Sequence, residues 1–115
     1  MNLNDMVQKL GLEVKAGKDA LGTEVKGGYV SDLMSDVIAN GREGDLWVTF
    51  QTHQNTVAVA SLKGLAGIVL VSNREPDPDM LRKANEENIA VLASDLPAFE
   101  LVGRMHDLGI SGIRT

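Results

Sequence analysis

The run Asp45-Leu46-Trp47-Val48-Thr49-Phe50-Gln51-Thr52-His53-Gln54-Asn55 decides how the rest of the chain is interpreted. Its first part is apolar and bulky, with Trp47, Val48 and Phe50, and such residues favour a buried strand. Its last part, residues 51–55, is polar and carries one imidazole. We interpret the run as a central strand followed by a loop that leads into a helix.

Helical and extended patterns alternate on the C-terminal side of this strand. Residues 56–63 fit either a helix ending at Gly64 or the return strand of a hairpin turning at 53–55. We favour the helix, because the buried strand predicted at 67–71 needs a crossover before it. The remaining predicted elements are a helix opening at Asp77-Pro78 with Met80, Leu81 and Ala84 inward, a strand at 89–93, and a helix opening at Ser94-Asp95 with Phe99, Val102, Met105 and Leu108 inward.

Helical spacing and alternation also divide the N-terminal side into elements. Leu3, Met6, Val7 and Leu10 recur at helical spacing, which predicts a helix over residues 2–10. The other predicted elements are strands at 12–16 and 24–30, and a helix that Ser31 caps, with Asp32 in its first turn, Leu33, Met34, Val37 and Ile38 on one face and Asn40-Gly41 at its end.

This order of elements predicts an α/β fold with three layers, α/β/α, around a mostly parallel or mixed central sheet. We treat residues 1–115 as a single domain. Residues 1–10 form its N-terminal helix and residues 12–115 its α/β core.

Composition narrows the classes of function. The formal net charge is -5 and Lys and Arg are not clustered, so we expect no nucleic-acid partner. There is no cysteine for disulfides or thiolate metal sites. No signal peptide and no membrane span is predicted, and we expect a cytoplasmic protein.

Several segments together resemble the DRTGG domain and the related N-terminal domain of HPr kinase/phosphorylase, from about Gly27 to the end. Gly44-Asp45 stands where that family has Gly-Asp-Arg, with Leu46 replacing the Arg, and Val71-Ser72-Asn73 replaces its Thr-Gly-Gly. The other matching segments are Gly28-Tyr29-Val30-Ser31-Asp32-Leu33-Met34-Ser35-Asp36-Val37, Leu65-Ala66-Gly67-Ile68-Val69-Leu70, Pro76, Asn88-Ile89-Ala90-Val91-Leu92 and Ser94-Asp95.

The segments Gly-Gly-Tyr-Val-Ser-Asp-Leu and Thr-Phe-Gln-Thr-His-Gln-Asn are closer to small stand-alone members labelled serine-kinase-like. Those are similar to proteins found beside iron-only hydrogenase genes in anaerobes. Family members usually accompany other domains, including nucleotide-sensing CBS pairs. The resemblance therefore implies a fold like the HPr kinase N-terminal domain and a regulatory or sensing role.

The residues do not support a kinase. A phosphate-binding loop needs Gly, four residues, then Gly-Lys-Ser/Thr. The nearest string, from Gly11 to Gly17-Lys18-Asp19, has one residue too many and an acid where the hydroxyl belongs. We predict that the chain is not an enzyme.

Other chemical sites are equally incomplete. His53 and His106 are the only imidazoles available as a catalytic base. We interpret His106, near a helix C-terminus, as facing solvent, and His53, in a polar loop, as a solvated or backbone-bonding side chain, with a catalytic His53 as the alternative. Asp32 and Asp36 lie one turn apart with Asp45 as an uncertain third ligand, so we predict no metal site and no cofactor.

Helix starts capped by Ser31, Asn55, Asp77 and Asp95 suggest a ligand site instead. Their free N–H groups, gathered at the carboxyl ends of parallel strands, would receive an anion, with Arg74 supplying a fixed positive charge. The predicted ligand-binding residues are Ser31, Asp32, Thr52, His53, Asn55, Asn73, Arg74, Ser94 and Asp95.

Two hypotheses of function follow, with a small enzyme as the least supported third. The first is a non-catalytic sensing domain that binds a small anionic or nucleotide-like ligand and signals to a partner protein. The second is a ligand-free interaction module that forms a homodimer by pairing an exposed edge strand, near residues 12–16 or 27–28, across a two-fold axis.

Overall fold

A computed structural model of the chain describes residues 1–113. A five-stranded mixed sheet lies between two layers of helices. The strands are β1 (Glu13–Ala16), β2 (Gly27–Val30), β3 (Asp45–Thr49), β4 (Gly67–Leu70) and β5 (Val91–Ala93), the helices are α1 (Leu3–Leu10), α2 (Met34–Asn40), α3 (Gln54–Lys63), α4 (Pro78–Glu87) and α5 (Ala98–Asp107), and a 3-10 turn spans Lys18–Ala20.

The strand order in the sheet is β1-β5-β4-β3-β2. Strands β2 to β5 are parallel in chain order, and β1 is antiparallel to β5. Trp47 in β3 pairs with Tyr29 in β2 on one side and Ile68 in β4 on the other. Glu13 of β1 pairs with Ala93 of β5, so β1 begins beside the carboxyl end of β5. The predicted mostly parallel or mixed sheet is confirmed.

The alternation of side chains along the sheet builds two separate cores. Leu46 and Val48 point to the face covered by α1 and α5, while Trp47 points to the face covered by α2, α3 and α4. Every residue of β3 is buried, because both faces of a central parallel strand are covered by helices. The three-layer prediction is confirmed.

The connections between the parallel strands all run over one face. The crossovers α2, α3 and α4 contribute Val37, Val57 and Met80 to the same core. Residues 56–63 lie within α3, which ends at Gly64 with φ +64. The hairpin interpretation of this segment is therefore wrong, and the preferred helix is correct. The sheet order of β2 to β5 never reverses, so their carboxyl ends form an uninterrupted edge.

Three predicted helix caps are wrong. Leu33, not Ser31, is the N-cap of α2, His53, not Asn55, is that of α3, and Pro97, not Asp95, is that of α5. Leu33 and Pro97 have no side-chain acceptor, which is why propensity alone pointed elsewhere. Asp77 is the N-cap residue of α4, as predicted, with Pro78 directly after it.

Two predicted helix faces need correction. Phe99 was expected to face inward, yet it is 88% exposed, while Leu101 and Met105 are the buried residues of α5. Met105, also predicted to face inward, is buried, and Val102 and Leu108 are half-buried against the core, whereas Leu101 was not predicted. Leu33 and Ile38 are likewise exposed, and Val37 is the fully buried residue of α2.

The second predicted strand is shorter than expected, and its outer edge is occupied. Only Gly27–Val30 pair with β3, while Glu24 forms an isolated bridge with Asn2. The backbone N–H of Gly28 donates to the carbonyl of Ser111 at 3.1 Å, so the C-terminal segment covers the edge at that point. The prediction that residues 27–28 offer a free edge for dimerisation is therefore wrong.

The opposite edge of the sheet is short and irregular. Strand β1 has four residues, and its register with β5 shifts between Val14 and Ala16. Lys15 lies at this irregularity and bonds Glu13 and Glu75. A short strand with a bulge and a lysine is a common way of blocking edge pairing. None of the helices within residues 1–113 is long and apolar enough to cross a membrane.

Candidate ligand site at the carboxyl rim

The four loops that follow the parallel strands lie together at one edge of the sheet. We call them the carboxyl rim, and they comprise residues 31–33 after β2, 50–53 after β3, 71–77 after β4 and 94–97 after β5. Hydrogen bonds join each loop to the next, as the following paragraphs describe. In parallel sheets this is the edge at which ligands bind.

Asp32 joins the first loop to the second. Its Oδ1 accepts hydrogen bonds from the Thr49 hydroxyl at 2.9 Å and from the Phe50 backbone N–H at 2.8 Å. The Gln51 side chain donates to the Asp32 carbonyl at 2.7 Å. Asp32 was expected in the first turn of α2. It lies before that helix and holds the loops after β2 and β3 together.

Three contacts join the second loop to the third. The backbone N–H of Asp77 donates to the Thr52 carbonyl at 3.0 Å, and an Asp77 carboxylate oxygen lies 3.2 Å from Nδ1 of His53. The guanidinium carbon of Arg74 lies 5.6 Å from the centre of the Phe50 ring, which is cation–π distance. Phe50 and Arg74 are both exposed. A cation is thereby held over an aromatic face that solvent can reach.

The third loop turns sharply through two left-handed residues. Ser72 has φ +55 and Asn73 has φ +57, a region that side chains other than glycine rarely enter. Their N–H groups donate to the carbonyls of Leu96 at 2.8 Å and Ser94 at 2.9 Å. These bonds to the fourth loop offset the backbone strain, and such strain is concentrated at functional sites.

The predicted site residues fall into two groups on the rim. Asp32, Thr52, His53 and Arg74 are linked through the contacts of Phe50 and Asp77. The other group surrounds a cavity of about 220 Å³ beside β1. Its lining residues are Asn73, Ser94 and Asp95, which were predicted, together with Gly11, Glu13 and Ala93, which were not.

Two predicted residues, Ser31 and Asn55, take no part in the contacts that join these groups. The Ser31 hydroxyl accepts from the Leu33 N–H at 3.1 Å, and its carbonyl accepts from the indole N–H of buried Trp47 at 2.8 Å. Ser31 thus fixes the chain after β2 to the core. Asn55 is exposed in the first turn of α3.

The start of α3 differs from the other helix starts. The first turns of α1, α2, α4 and α5 each carry an acidic residue, and that of α3 carries none. No side chain caps its N-terminus. The first N–H groups of a helix have no partner within the helix and carry partial positive charge. The first N–H groups of α3 lie next to the loop that holds Phe50 and His53.

A hydrogen-bonded network between β2 and α2 supports the rim. The Tyr29 hydroxyl donates to Asp36, and the Asn40 amide donates to the same carboxylate at 2.9 Å. The amide of Asn40, and then the Tyr29 hydroxyl, hold the pKa of Asp36 below its ordinary value. Asp36 in turn raises the pKa of Tyr29. These bonds fix α2 against the strand that leads to Asp32.

At the other end of the rim, charge pairs connect β1 with the third loop. The ammonium group of Lys15 lies 2.9 Å from Glu13 and 3.1 Å from Glu75. Glu13, followed by Glu75, raises the pKa of Lys15. Glu13 and Asp95 make the cavity beside β1 acidic, so an anion would be favoured at the Arg74 end of the rim and not there.

Within the described part of the chain, neither histidine forms a hydrogen bond with a hydroxyl group. The ring of His53 has Asp77 as its partner. No group of three or more His, Asp or Glu side chains in residues 1–113 has the arrangement of a metal site. The rim thus presents hydrogen-bond donors, an aromatic face and a guanidinium, all of which are groups that can contact a ligand.

Comparison with known proteins gives a structural likeness. No protein-family model and no curated protein sequence matches the chain. A crystal structure of the CBS and DRTGG domains of the regulatory region of Clostridium perfringens pyrophosphatase, complexed with its activator diadenosine tetraphosphate, matches 90% of this chain with a TM-score of 0.70 and 14% identity. This chain spans 45% of that one. The chain has a DRTGG-like fold.

The structure shows the backbone conformation at one departure from the family pattern, the segment Val71-Ser72-Asn73. Ser72 and Asn73 stand where the family sequence has its glycine pair, and both adopt the left-handed conformation that glycine enters most easily. Asn tolerates this region better than most residues, whereas Ser is less suited to it. Ser72 and Asn73 therefore form here a turn that glycine would enter more easily.

Sequence reasoning missed three residues that build the rim. Phe50 was interpreted as the end of a buried strand, but it is 38% exposed beneath Arg74. Asp77 was expected only as a helix cap, and its carboxylate binds His53 instead. Gln51 was interpreted as part of a polar loop, and no partner was predicted for it. Its side-chain amide donates to the Asp32 carbonyl. For Phe50, the one signal in the sequence was its position as a bulky residue at the end of the apolar run, directly before the polar residues 51–55.

Proposed function

We propose that this chain is a non-catalytic regulatory domain that binds a small anionic or nucleotide-like ligand at the carboxyl rim and signals to a partner protein. The observation that carries the proposal is the exposed pair of Phe50 and Arg74, 5.6 Å apart, beside the start of α3. An aromatic face, a guanidinium and a helix whose own first turn carries no acidic residue together match the parts of a nucleotide.

Each part of this site has a distinct task. The ring of Phe50 offers a stacking surface for a base. The guanidinium of Arg74 offers two parallel N–H donors for a phosphate, and the N–H groups at the start of α3 offer further donors. His53 and Asn55 lie at the same helix start and would contact the same ligand. In this proposal the site recognises its ligand, and no nucleophile or metal is assigned a role.

The likeness to the pyrophosphatase regulatory region supports this proposal without deciding it. That protein is complexed with a nucleotide activator, diadenosine tetraphosphate. We carry over the class of ligand and not its identity. The residues of this chain from 1 to 115 would form one DRTGG-like domain, in line with the sequence resemblance to the HPr kinase N-terminal domain.

The signalling step requires a rim that changes when the ligand is bound. The loops after β3 and β4 meet through Arg74, Phe50, His53 and Asp77, so a ligand between them would alter their spacing. The strained turn at Ser72 would carry that change to the fourth loop.

Thermal-shift screening with nucleotides and phosphorylated metabolites tests the proposal. A ligand at about 100 times its Kd stabilises the folded state by about 2.7 kcal/mol, which is several degrees in Tm for a domain of this size. The variants Arg74→Ala and His53→Ala are expected to reduce that shift. Absence of stabilisation by every compound, with an unaltered response in both variants, would count against a ligand at the rim.

A further inference from the structure

Thr52 is a buried polar residue whose side chain forms no hydrogen bond within residues 1–113. It is 7% exposed. The other buried polar side chains of this part of the chain, on Asp45, Thr49, Thr56 and Ser94, all have partners in the fold. No side-chain oxygen that is sealed from solvent in residues 1–113 lacks a partner. The hydroxyl oxygen of Thr52 therefore reaches the surface of the carboxyl rim.

Thr52 lies where the start of α3 meets the loop that carries Arg74. It directly precedes His53, the N-cap residue of α3, and its carbonyl accepts from the backbone N–H of Asp77 at 3.0 Å. A buried polar group without a partner in the fold is a candidate for a bond to a molecule from outside. Because the neighbouring helix N–H groups carry partial positive charge, an oxyanion is the group that suits this position.

The rim has little positive charge with which to bind such an anion. Arg74 is the one arginine or lysine in its four loops. The acidic residues of the same loops are Asp32, Glu75, Asp77 and Asp95. One positive charge against four negative charges gives these loops a formal charge of -3. The ammonium group of Lys15 lies beside the rim, but it is already paired with Glu13 and Glu75.

Further acids stand at the starts of three helices around the rim. The first turns of α2, α4 and α5 carry Asp36, Asp79 and Glu100. Arg82, the nearest arginine on α4, is paired with Asp79 at 2.7 Å. Arg74 can therefore neutralise one phosphoryl group, whereas each additional phosphoryl group would lie in a field set by carboxylates and would have no guanidinium of its own.

We propose that the ligand of the carboxyl rim is a nucleoside monophosphate, an inference that rests on the proposed function. Its single phosphoryl group accepts hydrogen bonds from the guanidinium of Arg74, the hydroxyl of Thr52 and the first N–H groups of α3. Its base contacts the ring of Phe50. A nucleoside triphosphate brings two or more further negative charges among the acids of the rim, so it binds more weakly. Magnesium chelated by the triphosphate neutralises part of that charge and reduces the difference.

Titration calorimetry of the full chain with AMP, ATP, adenosine and inorganic phosphate tests the class of ligand. In the absence of magnesium, the Kd for AMP is expected to be about tenfold or more below the Kd for ATP. Adding magnesium should lower the Kd for ATP. Adenosine and phosphate each lack one half of the ligand, and both should bind about tenfold or more weakly than AMP.

The outcomes separate this inference from the proposed function. Magnesium-free ATP that binds as tightly as AMP, or tighter, overturns the inference and leaves a nucleotide site at the rim in place. Inorganic phosphate that binds as tightly as AMP also overturns the inference, because the ligand then needs no base. Absence of binding by both AMP and ATP counts against the proposed function itself, and the inference fails with it.

Substitution of Thr52 tests the contact from its hydroxyl. Thr52→Val keeps the shape of the side chain and removes a hydroxyl that has no partner within residues 1–113, so the Tm should change little. The Kd for AMP should rise about tenfold, since a hydrogen bond to a charged group is lost. Thr52→Ser keeps the hydroxyl and should retain the affinity. Thr23→Val is the matched control, because Thr23 is exposed before β2, at the opposite edge of the sheet. An unchanged affinity in Thr52→Val overturns the assignment of this contact.

Removal of one acid from the rim tests the electrostatic reason for the preference. Asp95→Asn should lower the Kd for magnesium-free ATP more than the Kd for AMP, and so reduce the ratio of the two by about twofold to threefold. Asp107→Asn is the control with the same change of charge. Asp107 ends α5, about 14 Å along the helix from its start, which exceeds the Debye length of about 8 Å at 0.15 M salt. A ratio that Asp95→Asn leaves unchanged, or that both variants change equally, contradicts this reason and overturns the inference.

Discussion

The guanidinium of Arg74 lies 5.6 Å from the centre of the Phe50 ring, and the two residues belong to different loops of the carboxyl rim. Phe50 directly follows β3, the strand that is buried on both faces, and Arg74 follows the left-handed turn at Ser72 and Asn73. The contact is exposed, so it contributes about 0.5–1 kcal/mol to the folded state. Its position beside the start of α3 is the basis of the proposed binding site.

Replacing Arg74 separates binding from folding. Arg74→Ala should weaken nucleotide binding by about tenfold or more, because a fixed guanidinium contact to phosphate is lost. Its effect on the free energy of unfolding should stay below about 1 kcal/mol. Titration calorimetry and urea unfolding measure the two quantities. Arg82→Ala is the control, since Arg82 is an exposed arginine that pairs with Asp79 within α4 and should leave the affinity unchanged. Equal losses in both variants would remove Arg74 from the site.

Asp32 should prove to be a structural residue of the rim. Asp32→Ala leaves the Thr49 hydroxyl and the Phe50 N–H without their acceptor, and the free energy of unfolding should fall by about 1 kcal/mol. Urea unfolding measures the change. Asp95→Ala, which replaces an exposed carboxylate on the fourth loop, should change stability by less than about 0.5 kcal/mol. A neutral Asp32→Ala would show that this junction is not needed for the fold.

The Tyr29–Asp36–Asn40 network should make stability depend on pH at the acidic end. Because the folded-state pKa of Asp36 is lowered, first by Asn40 and then by Tyr29, the carboxylate stabilises the fold above the unfolded-state pKa of about 3.9. That contribution is lost as pH falls through the lower folded-state pKa. The difference in Tm between the original chain and Asp36→Asn should be constant from about pH 5 to 7 and shrink below about pH 4.

Replacing Asn40, which donates to the Asp36 carboxylate, is a second test of the same network. Asn40→Ala should reduce the pH-dependent part of the stability difference, since the Asn40 amide is the largest cause of the lowered pKa of Asp36. Thermal unfolding at a series of pH values measures it. A stability difference that stays constant down to pH 2 would contradict the assignment.

Ser72→Gly should stabilise the domain. Ser72 has φ +55, where a side chain costs about 1 kcal/mol and glycine costs little. Glycine also raises the entropy of the unfolded chain, so the expected net gain is about 0.5 kcal/mol. Chemical denaturation measures this gain. Gly11→Ala is the opposite test, because Gly11 has φ +64 at the C-cap of α1 and its replacement should destabilise. Loss of stability in Ser72→Gly would show that the hydroxyl has a further role.

The order of elements could be predicted because each buried strand was marked by its own apolar run. The runs around Trp47 and Ile68 are apolar at consecutive positions, as strands covered on both faces are, and that pattern required the crossover at 56–63. Helix ends were predictable where glycine takes a left-handed cap, as at Gly11 and Gly64. The starts were not, because Leu33 and Pro97 precede their helices without a capping side chain.

The site was less predictable because its contacts are made between loops distant in sequence. The edge itself followed from the parallel order, and it brings His53 and Arg74 to the same rim. Nothing in the sequence indicates that Asp77 would turn its carboxylate to His53, or that Phe50 would lie exposed beneath Arg74. The prediction that Phe99 faces inward was wrong for a related reason. Helical spacing of an apolar residue does not show whether its side chain faces the core or lies exposed.

A titration of the ¹⁵N-labelled chain with ATP and AMP, followed by amide chemical shifts, tests the central claim most directly. With nucleotide raised to about 5 mM, the account predicts saturable shifts concentrated at Phe50, at the start of α3 and at Arg74, and their loss in Arg74→Ala. An unchanged spectrum, or saturable shifts confined to residues away from the carboxyl rim, would contradict it.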